Sequence, residues 1–310
     1  MKEQKGTLMR QLIIPAVLCT ALWGSAAPCI KTGYRLFGIA AGQPFSQLVF
    51  AGWRFALAGV AVLLAARLMG RRILPHRDEW RPILWISLFQ SMLQYVCYYI
   101  GLSMTTGLKG AVLSGTQTFF ALLFAHILLK NDKLNRQKTL GCLCGLAGVA
   151  VLGLGGLHGF HPVGDGLVLL SAASAGAGAL VSRIFTPGRD PMLLTSWQLL
   201  VGGAVLLALG AAGGGRLGAV TLSGALLLAY MVALSAVAFT VWTALLGKFP
   251  VGRVSLFGFL IPVFGALFSA LLLGENVATP RNLLALALVS GGIALANAAR
   301  AGKTGGGQAS

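Results

Sequence analysis

Residues 107–156 read GLKGAVLSGTQTFFALLFAHILLKNDKLNRQKTLGCLCGLAGVAVLGLGG. Two apolar runs flank one short charged connector, Lys130 to Lys138. Each run is roughly 20 residues long, enough at a rise of about 1.5 Å per residue to cross a hydrocarbon core. The stretch therefore predicts two membrane-crossing helices joined by a tight turn. A similar pattern returns at Val251–Arg300 with a shift of about 144 positions (264 − 120). In that register Phe120 meets Phe264, Phe124 meets Phe268, Leu129 meets Leu273 and Gly148 meets Gly292. Upstream, Trp53 meets Trp197 and Gly59 meets Gly203 without a gap. The chain reads as two copies of one unit, residues 1–156 and 157–310.

Composition agrees. Apolar residues make up 56% and charged residues 10%, and the mean hydropathy is +0.82. A soluble surface over 310 residues needs more charge than that. The net charge of +17 does not point to nucleic acid. Most of the Lys and Arg sit in short connectors, and no basic, aromatic-rich polar domain is present to grip phosphates. All five cysteines (Cys19, Cys29, Cys97, Cys142, Cys144) fall inside apolar runs. They read as buried thiols rather than a disulfide framework or a zinc site. No metal or cofactor is indicated. His158 and His161 have no further ligands nearby, and His126 reads as an interfacial histidine.

The apolar runs give ten helices: about Leu12–Lys31, Gln47–Arg67, Arg81–Ser103, Leu108–Leu129 and Lys138–Gly156, then Gly164–Phe185, Met192–Gly213, Thr221–Leu246, Gly252–Leu273 and Arg281–Arg300. The first is too long for the apolar region of a signal peptide, and Ala26-Ala27-Pro28 is a poor cleavage site, so it is read as retained. Positive charge sets the orientation. With the N-terminus inside, the inner segments hold Lys2, Lys5, Arg10, Arg67, Arg71, Arg72, Arg77, Arg81, Lys130, Lys133, Arg136, Lys138, Arg183, Arg189, Lys248, Arg253, Arg300 and Lys303. The outer ones hold only Lys31, Arg35, Lys109, Arg216 and Arg281. Both termini are expected in the cytoplasm. Five helices per unit is an odd number, so the second unit enters the membrane inverted. The expected architecture is all-α, integral to the membrane, with ten transmembrane helices as two inverted five-helix repeats around a central cavity. That plan belongs mainly to transporters.

Particular motifs sharpen this. Leu22-Trp23-Gly24-Ser25 followed by Lys31 resembles the opening helix of the EamA-type branch of the drug/metabolite transporter superfamily. Trp53-Arg54-Phe55 resembles its arginine-bearing second helix. Gly164-Asp165 with Arg183 is similar to the two ends of its sixth, and Leu272-Leu273-Gly274-Glu275 to the turn after its ninth. The resemblance implies export or exchange of small metabolites, often amino acids, across the bacterial inner membrane. The first copy departs from it with Lys130-Asn131-Asp132 where the second has Gly274-Glu275. The sixth helix departs with Ser174-Ala175-Gly176 where an aromatic residue is common.

Polar groups at membrane depth face a cavity or another helix. Arg54 either snorkels to the outer interface or turns its planar fork on a cargo carboxylate or phosphate. Gln198 is its repeat mate, and Trp53 and Trp197 stand beside the two. Gln90, Gln94 and Tyr98 form a four-residue stripe in helix three; Ser114 and Gln117 share a face of helix four. Trp23 and Ser25 in helix one and Trp242 in helix eight, near Ser235, Thr240 and Thr243, complete the candidate substrate-binding set. Pro28 and Pro262 interrupt helices one and nine. Gly141, Gly145 and Gly148, with Gly291 and Gly292, form seams suited to close packing or to a homodimer through helices five and ten. No Asp or Glu lies at mid-membrane; Asp165 and Glu275 stand near helix ends. The expected partners are thus a small-molecule cargo and the bilayer. The competing readings are a broad-specificity drug exporter of the same fold and an intramembrane enzyme. The latter lacks paired carboxylates or a His-rich face.

Overall fold

The computed structural model describes residues 9–40, 42–104, 113–152, 161–273 and 280–298, and among these no strand occurs. They form ten helical stretches. The first unit supplies α1 (Arg10–Leu36), α2 (Pro44–Leu68), α3 (Arg77–Leu102), α4 (Leu113–Leu128) and α5 (Arg136–Leu152). The second supplies α6 (Pro162–Phe185), α7 (Pro191–Ala212) and α8 (Leu222–Lys248). Next comes α9, which runs through Val251–Ser255, Leu256–Phe259 and Leu260–Leu273, and then α10 (Pro280–Ala298). Six of them (α1–α3 and α6–α8) are long and apolar enough to cross a membrane; shorter apolar helices lie at Leu113–Leu128, Val251–Gly265 and Leu283–Leu295. Lys109, His158 and the Gly274-Glu275 turn lie outside the described residues.

The helix ends follow local chemistry. Pro44, Pro162, Pro191 and Pro280 open their helices, where a missing N–H costs nothing. His161 caps α6: its Nδ1 accepts from the Gly164 N–H at 2.9 Å, while its own N–H donates to Asp165 Oδ2 at 2.8 Å. Asp190 and Thr221 cap α7 and α8 in the same way. Gly70 and Gly214, 144 positions apart, both take positive φ (69° and 77°) after α2 and α7. Each end is closed by a 2.8 Å bond, Arg71 N–H to Ala66 and Gly215 N–H to Gly210.

Two interruptions differ from expectation. Pro28 sits inside an unbroken α1 and does not end it. In α3 a π-helical segment, Leu88–Leu93, carries Gln90 and Ser91.

The polarity of the molecule is reversed relative to a soluble protein. Leu18, Leu57, Leu64, Leu84, Leu170, Leu226 and Val237 are exposed, while Thr20, Arg54, Ser87, Ser91, Thr195, Gln198, Ser235 and Thr243 are buried. Such a surface suits hydrocarbon, and the polar interior must satisfy itself.

The helices pair α2 with α7, α5 with α10, α1 with α9 and α8, and α6 with α4 and α3. Glycines set the two closest seams. A Cβ on Gly59 would lie 2.6 Å from the Ser196 carbonyl, and one on Gly203 would strike the Ala56 amide nitrogen. A Cβ on Gly292 would lie 2.6 Å from the Gly141 carbonyl, and one on Gly148 would lie 2.7 Å from Val289. Gly148 and Gly292 are thus engaged between helices five and ten of one chain, while a Cβ on Gly291 would meet nothing within 4 Å.

Gly203→Leu is expected to lower stability by about 1–3 kcal/mol through overpacking of the α2–α7 seam. Gly166, whose Cβ would meet nothing within 4 Å, should tolerate alanine or gain up to about 1 kcal/mol from helix propensity. Thermal unfolding of both variants in detergent checks the contrast.

Candidate binding cavity

A cavity of about 210 Å³ lies between α1, α2, α3, α4, α6, α8 and α9. Trp23, Arg54, Gln94, Tyr98, Ser114, Gln117 and Trp242 all line it, as does Gln90. The four-residue stripe of α3 thus faces one space. Its π segment has a wider turn, which offsets the drift that this spacing accumulates in a regular helix.

Arg54 is 2% exposed and does not reach the bundle surface. Its Nε donates to Ser235 Oγ at 2.7 Å, and its guanidinium carbon lies 5.1 Å from the centroid of the Phe55 ring. Among the described residues no carboxylate pairs with it. The surroundings are aromatic. Trp23 meets Phe239 and Trp242 edge-on at 5.4 and 5.0 Å, and Phe55 packs on Tyr95 at 4.6 Å. Tyr98 hydrogen-bonds with Ser114. The Nε1–H of Trp23 and the hydroxyl of Ser255, both on cavity-lining residues, have no partner among the described residues.

The repeat mates make matching contacts. Arg54 and Ser235 correspond, 144 positions away, to Gln198 and Ser91. Gln198 Nε2 donates to Ser91 Oγ at 3.3 Å, as Arg54 Nε does to Ser235. Gln198 itself is fully buried between α7 and α3 and does not line the cavity.

Three other expected site residues also lie off the cavity wall. Trp53 is 45% exposed, because successive helical residues point about 100° apart and Arg54 takes the inward direction. Trp197 donates its Nε1–H to the Ile73 carbonyl at 2.8 Å and meets Trp80 edge-on, so it anchors the segment after α2. Ser25 is held by the Tyr230 hydroxyl at 2.7 Å while it donates to the Leu22 carbonyl.

Residues missed in the sequence include Tyr95, Thr118, Ser171, Phe239 and Ser255. Phe239 lies three residues before Trp242 and so on its face, a signal that was available. Pro262 also contributes. It has no N–H to offer the Gly258 carbonyl, and Gly258 lines the cavity just before α9 returns to regular helix.

Several other ionisable groups tie connectors and helix ends. His126 Nδ1 accepts from the Leu134 N–H at 3.0 Å, and His161 is the α6 cap. Asp132 is 5% exposed; it pairs with Lys138 at 2.5 Å and accepts from the Gly252 N–H at 2.9 Å, tying the α4–α5 connector to the start of α9. Among the described residues no group of three His, Cys, Asp or Glu could hold a metal, and the five cysteines are free.

Residues 11–154 and 162–298 each match the EamA-like transporter family. The chain belongs to that family. It is 33% identical to the protein PA1977 of Pseudomonas aeruginosa over 78% of this chain and 82% of that one. It is 27% identical to the uncharacterized inner membrane transporter YedA of Escherichia coli (strain K12), over 83% and 81% of the two chains. The uncharacterized transporter YoaV of Bacillus subtilis is 23% identical, and the match spans 66% of its length. A solved crystal structure superposes with a TM-score of 0.77 at 20% identity, covering 92% of this chain and 96% of the other, and shares the fold. This EamA-like chain is thus a multi-pass membrane protein of a transporter family.

Asp132→Ala should destabilise the protein by about 1.5–3 kcal/mol, since it strands a largely buried ammonium and a backbone N–H together. Asp190→Asn, which keeps the cap and loses only the exposed pair with Arg71, should cost under about 1 kcal/mol. Denaturation midpoints of the two variants test the difference.

Proposed function

We propose that this protein is a secondary carrier of a small zwitterionic or anionic metabolite, an amino acid or a related acid, acting by export or exchange across the bacterial inner membrane. One observation carries the reading: Arg54 stands on the cavity wall, buried, with no carboxylate beside it among the described residues. A buried cation without a counter-ion costs several kcal/mol, and a cargo carboxylate meeting its planar fork relieves that cost. The cavity's size favours a small metabolite over a broad range of drugs, since about 210 Å³ falls below the ~300–1,000 Å³ of pockets for drug-sized ligands.

The architecture proposed is ten crossings in two inverted five-helix repeats, with both termini in the cytoplasm on the strength of the positive charge in the inner connectors. The helix pairing supports it. Exchanging each helix of one unit for its mate maps α2–α7 and α5–α10 onto themselves, α1–α9 onto α6–α4, and α1–α8 onto α6–α3. Alternating access then uses two near-equivalent arrangements of one cavity. An empty carrier must reorient with Arg54 unpaired, which favours exchange of one cargo molecule for another over net flow.

Arg54→Gln, reconstituted in proteoliposomes, should lower flux of the transported acid at least about tenfold, while Arg54→Lys retains part of it. A panel of amino acids and monocarboxylates, run with and without a pH gradient, identifies the cargo. Flux unchanged by Arg54→Gln across that panel would overturn the reading.

A further inference from the structure

The repeat mate of Arg54 is buried out of reach of the cavity, yet it touches a residue that lines it. Gln198 is 0% exposed. Its Nε2 donates to Gln90 Oε1 at 3.1 Å as well as to Ser91 Oγ. Its backbone carbonyl accepts from Ser87 Oγ at 3.1 Å. Gln90 is clamped from the other side, since a Cβ on Gly178 would lie 2.7 Å from its Cγ. Gly202 clears the space for Ser91 in the same π segment.

The orientation of the two amides has a physical basis. As placed, one acceptor, Gln198 Oε1, is buried without a partner among the described residues. Reversing the Gln198 amide would put two N–H donors in that unpartnered position instead, a heavier loss. The mate supports the same sense, because Arg54 also donates to its serine, and Ser235 in turn donates to the Met231 carbonyl at 2.8 Å.

The geometry points to Gln198 as a positioning residue that sets the charge preference of the cavity. By occupying Gln90 Oε1, it leaves the Gln90 Nε2–H groups as the end turned to the cargo. The amide of Gln90 then adds donors to the guanidinium of Arg54, and the pair forms a site for a monoanion. A neutral amide of the same shape brings donors of its own and meets fewer acceptors, so the site selects the acid over its amide. This role rests on reading the cavity as the cargo site. It adds the claim that selectivity is controlled from α7, one residue removed from the cargo.

Phenylacetate and phenylacetamide are a matched anionic and neutral pair that suits an aromatic-walled cavity. Their affinities for the full chain in nanodiscs can be read from quenching of its tryptophan fluorescence, with Trp23 and Trp242 on the wall. The unaltered chain should prefer the acid. Gln198→Met, which keeps length and volume but no donor, should lower the acid-to-amide ratio about tenfold. Gln90→Met should do the same, and the double variant should fall no further, because one unit is being removed twice. If Gln198→Met folds poorly, Gln198→Leu serves in its place.

Absence of an acid preference in the unaltered chain overturns the proposal. So does a Gln198→Met variant that weakens both probes alike, or losses that add in the double variant. The cargo-site reading is tested apart from this by Arg54→Gln. If that variant keeps its acid preference while Gln198→Met loses it, the role of Arg54 falls and the amide pair stands.

Discussion

A guanidinium held by one neutral hydroxyl inside a ring of aromatic side chains is the constraint to which the middle of this bundle is fitted. The Arg54–Ser235 bond joins α2 of the first unit to α8 of the second. Ser235 can accept it because its own proton goes to the Met231 carbonyl within α8. The remaining guanidinium nitrogens need polar surroundings, and in hydrocarbon only an internal cavity supplies them. The hollow is thus as necessary to Arg54 as Arg54 is to the hollow. The aromatic rings around it supply weakly polar faces that tolerate a cation without neutralising it.

The two family-matching units place corresponding residues around this constraint. The position that holds Arg54 in one unit holds Gln198 in the other, and their serine partners, Ser235 and Ser91, are mates as well. The glycines at the ends of α2 and α7 take the same conformation, and the two tightest seams each pair a helix with its own mate. At the position of Arg54 and Gln198 the two units differ in charge. The cation lines the cavity, while the neutral amide is buried behind it against Gln90 and Ser91.

Six helices long and apolar enough to cross a membrane were legible in the sequence, because length and hydropathy record the thickness of a bilayer. Arg54 was legible as a costly group at depth, and Gln94, Tyr98, Ser114 and Gln117 as polar positions on shared helix faces. What escaped depended on rotation or on neighbours. Trp53 adjoins Arg54, and a turn of about 100° sends it outward. Trp197 and Gln198 were placed by analogy with their mates, yet α7 is packed so closely on α2 and α3 that neither faces the cavity. Ser25 could be tied to Tyr230 only by knowing how α1 and α8 pack. The π segment around Gln90 leaves no mark in hydropathy at all.

Four of the described carboxylates have partners away from the cavity. Glu79 is paired with Arg72, Asp132 with Lys138 and Asp190 with Arg71, while Asp165 accepts from the His161 N–H at the start of α6. Each of these carboxylates is therefore engaged at a helix end or connector, and none of them lines the cavity. Among the described residues no carboxylate compensates Arg54, and under the carrier reading proposed above the cargo does so. A protein carboxylate beside Arg54 would remove the cost of burying the guanidinium, but it would also remove any reason for an anion to bind. On the carrier reading an unpaired cation leaves the empty cavity less stable than the filled one, and that difference would draw a small acid into it.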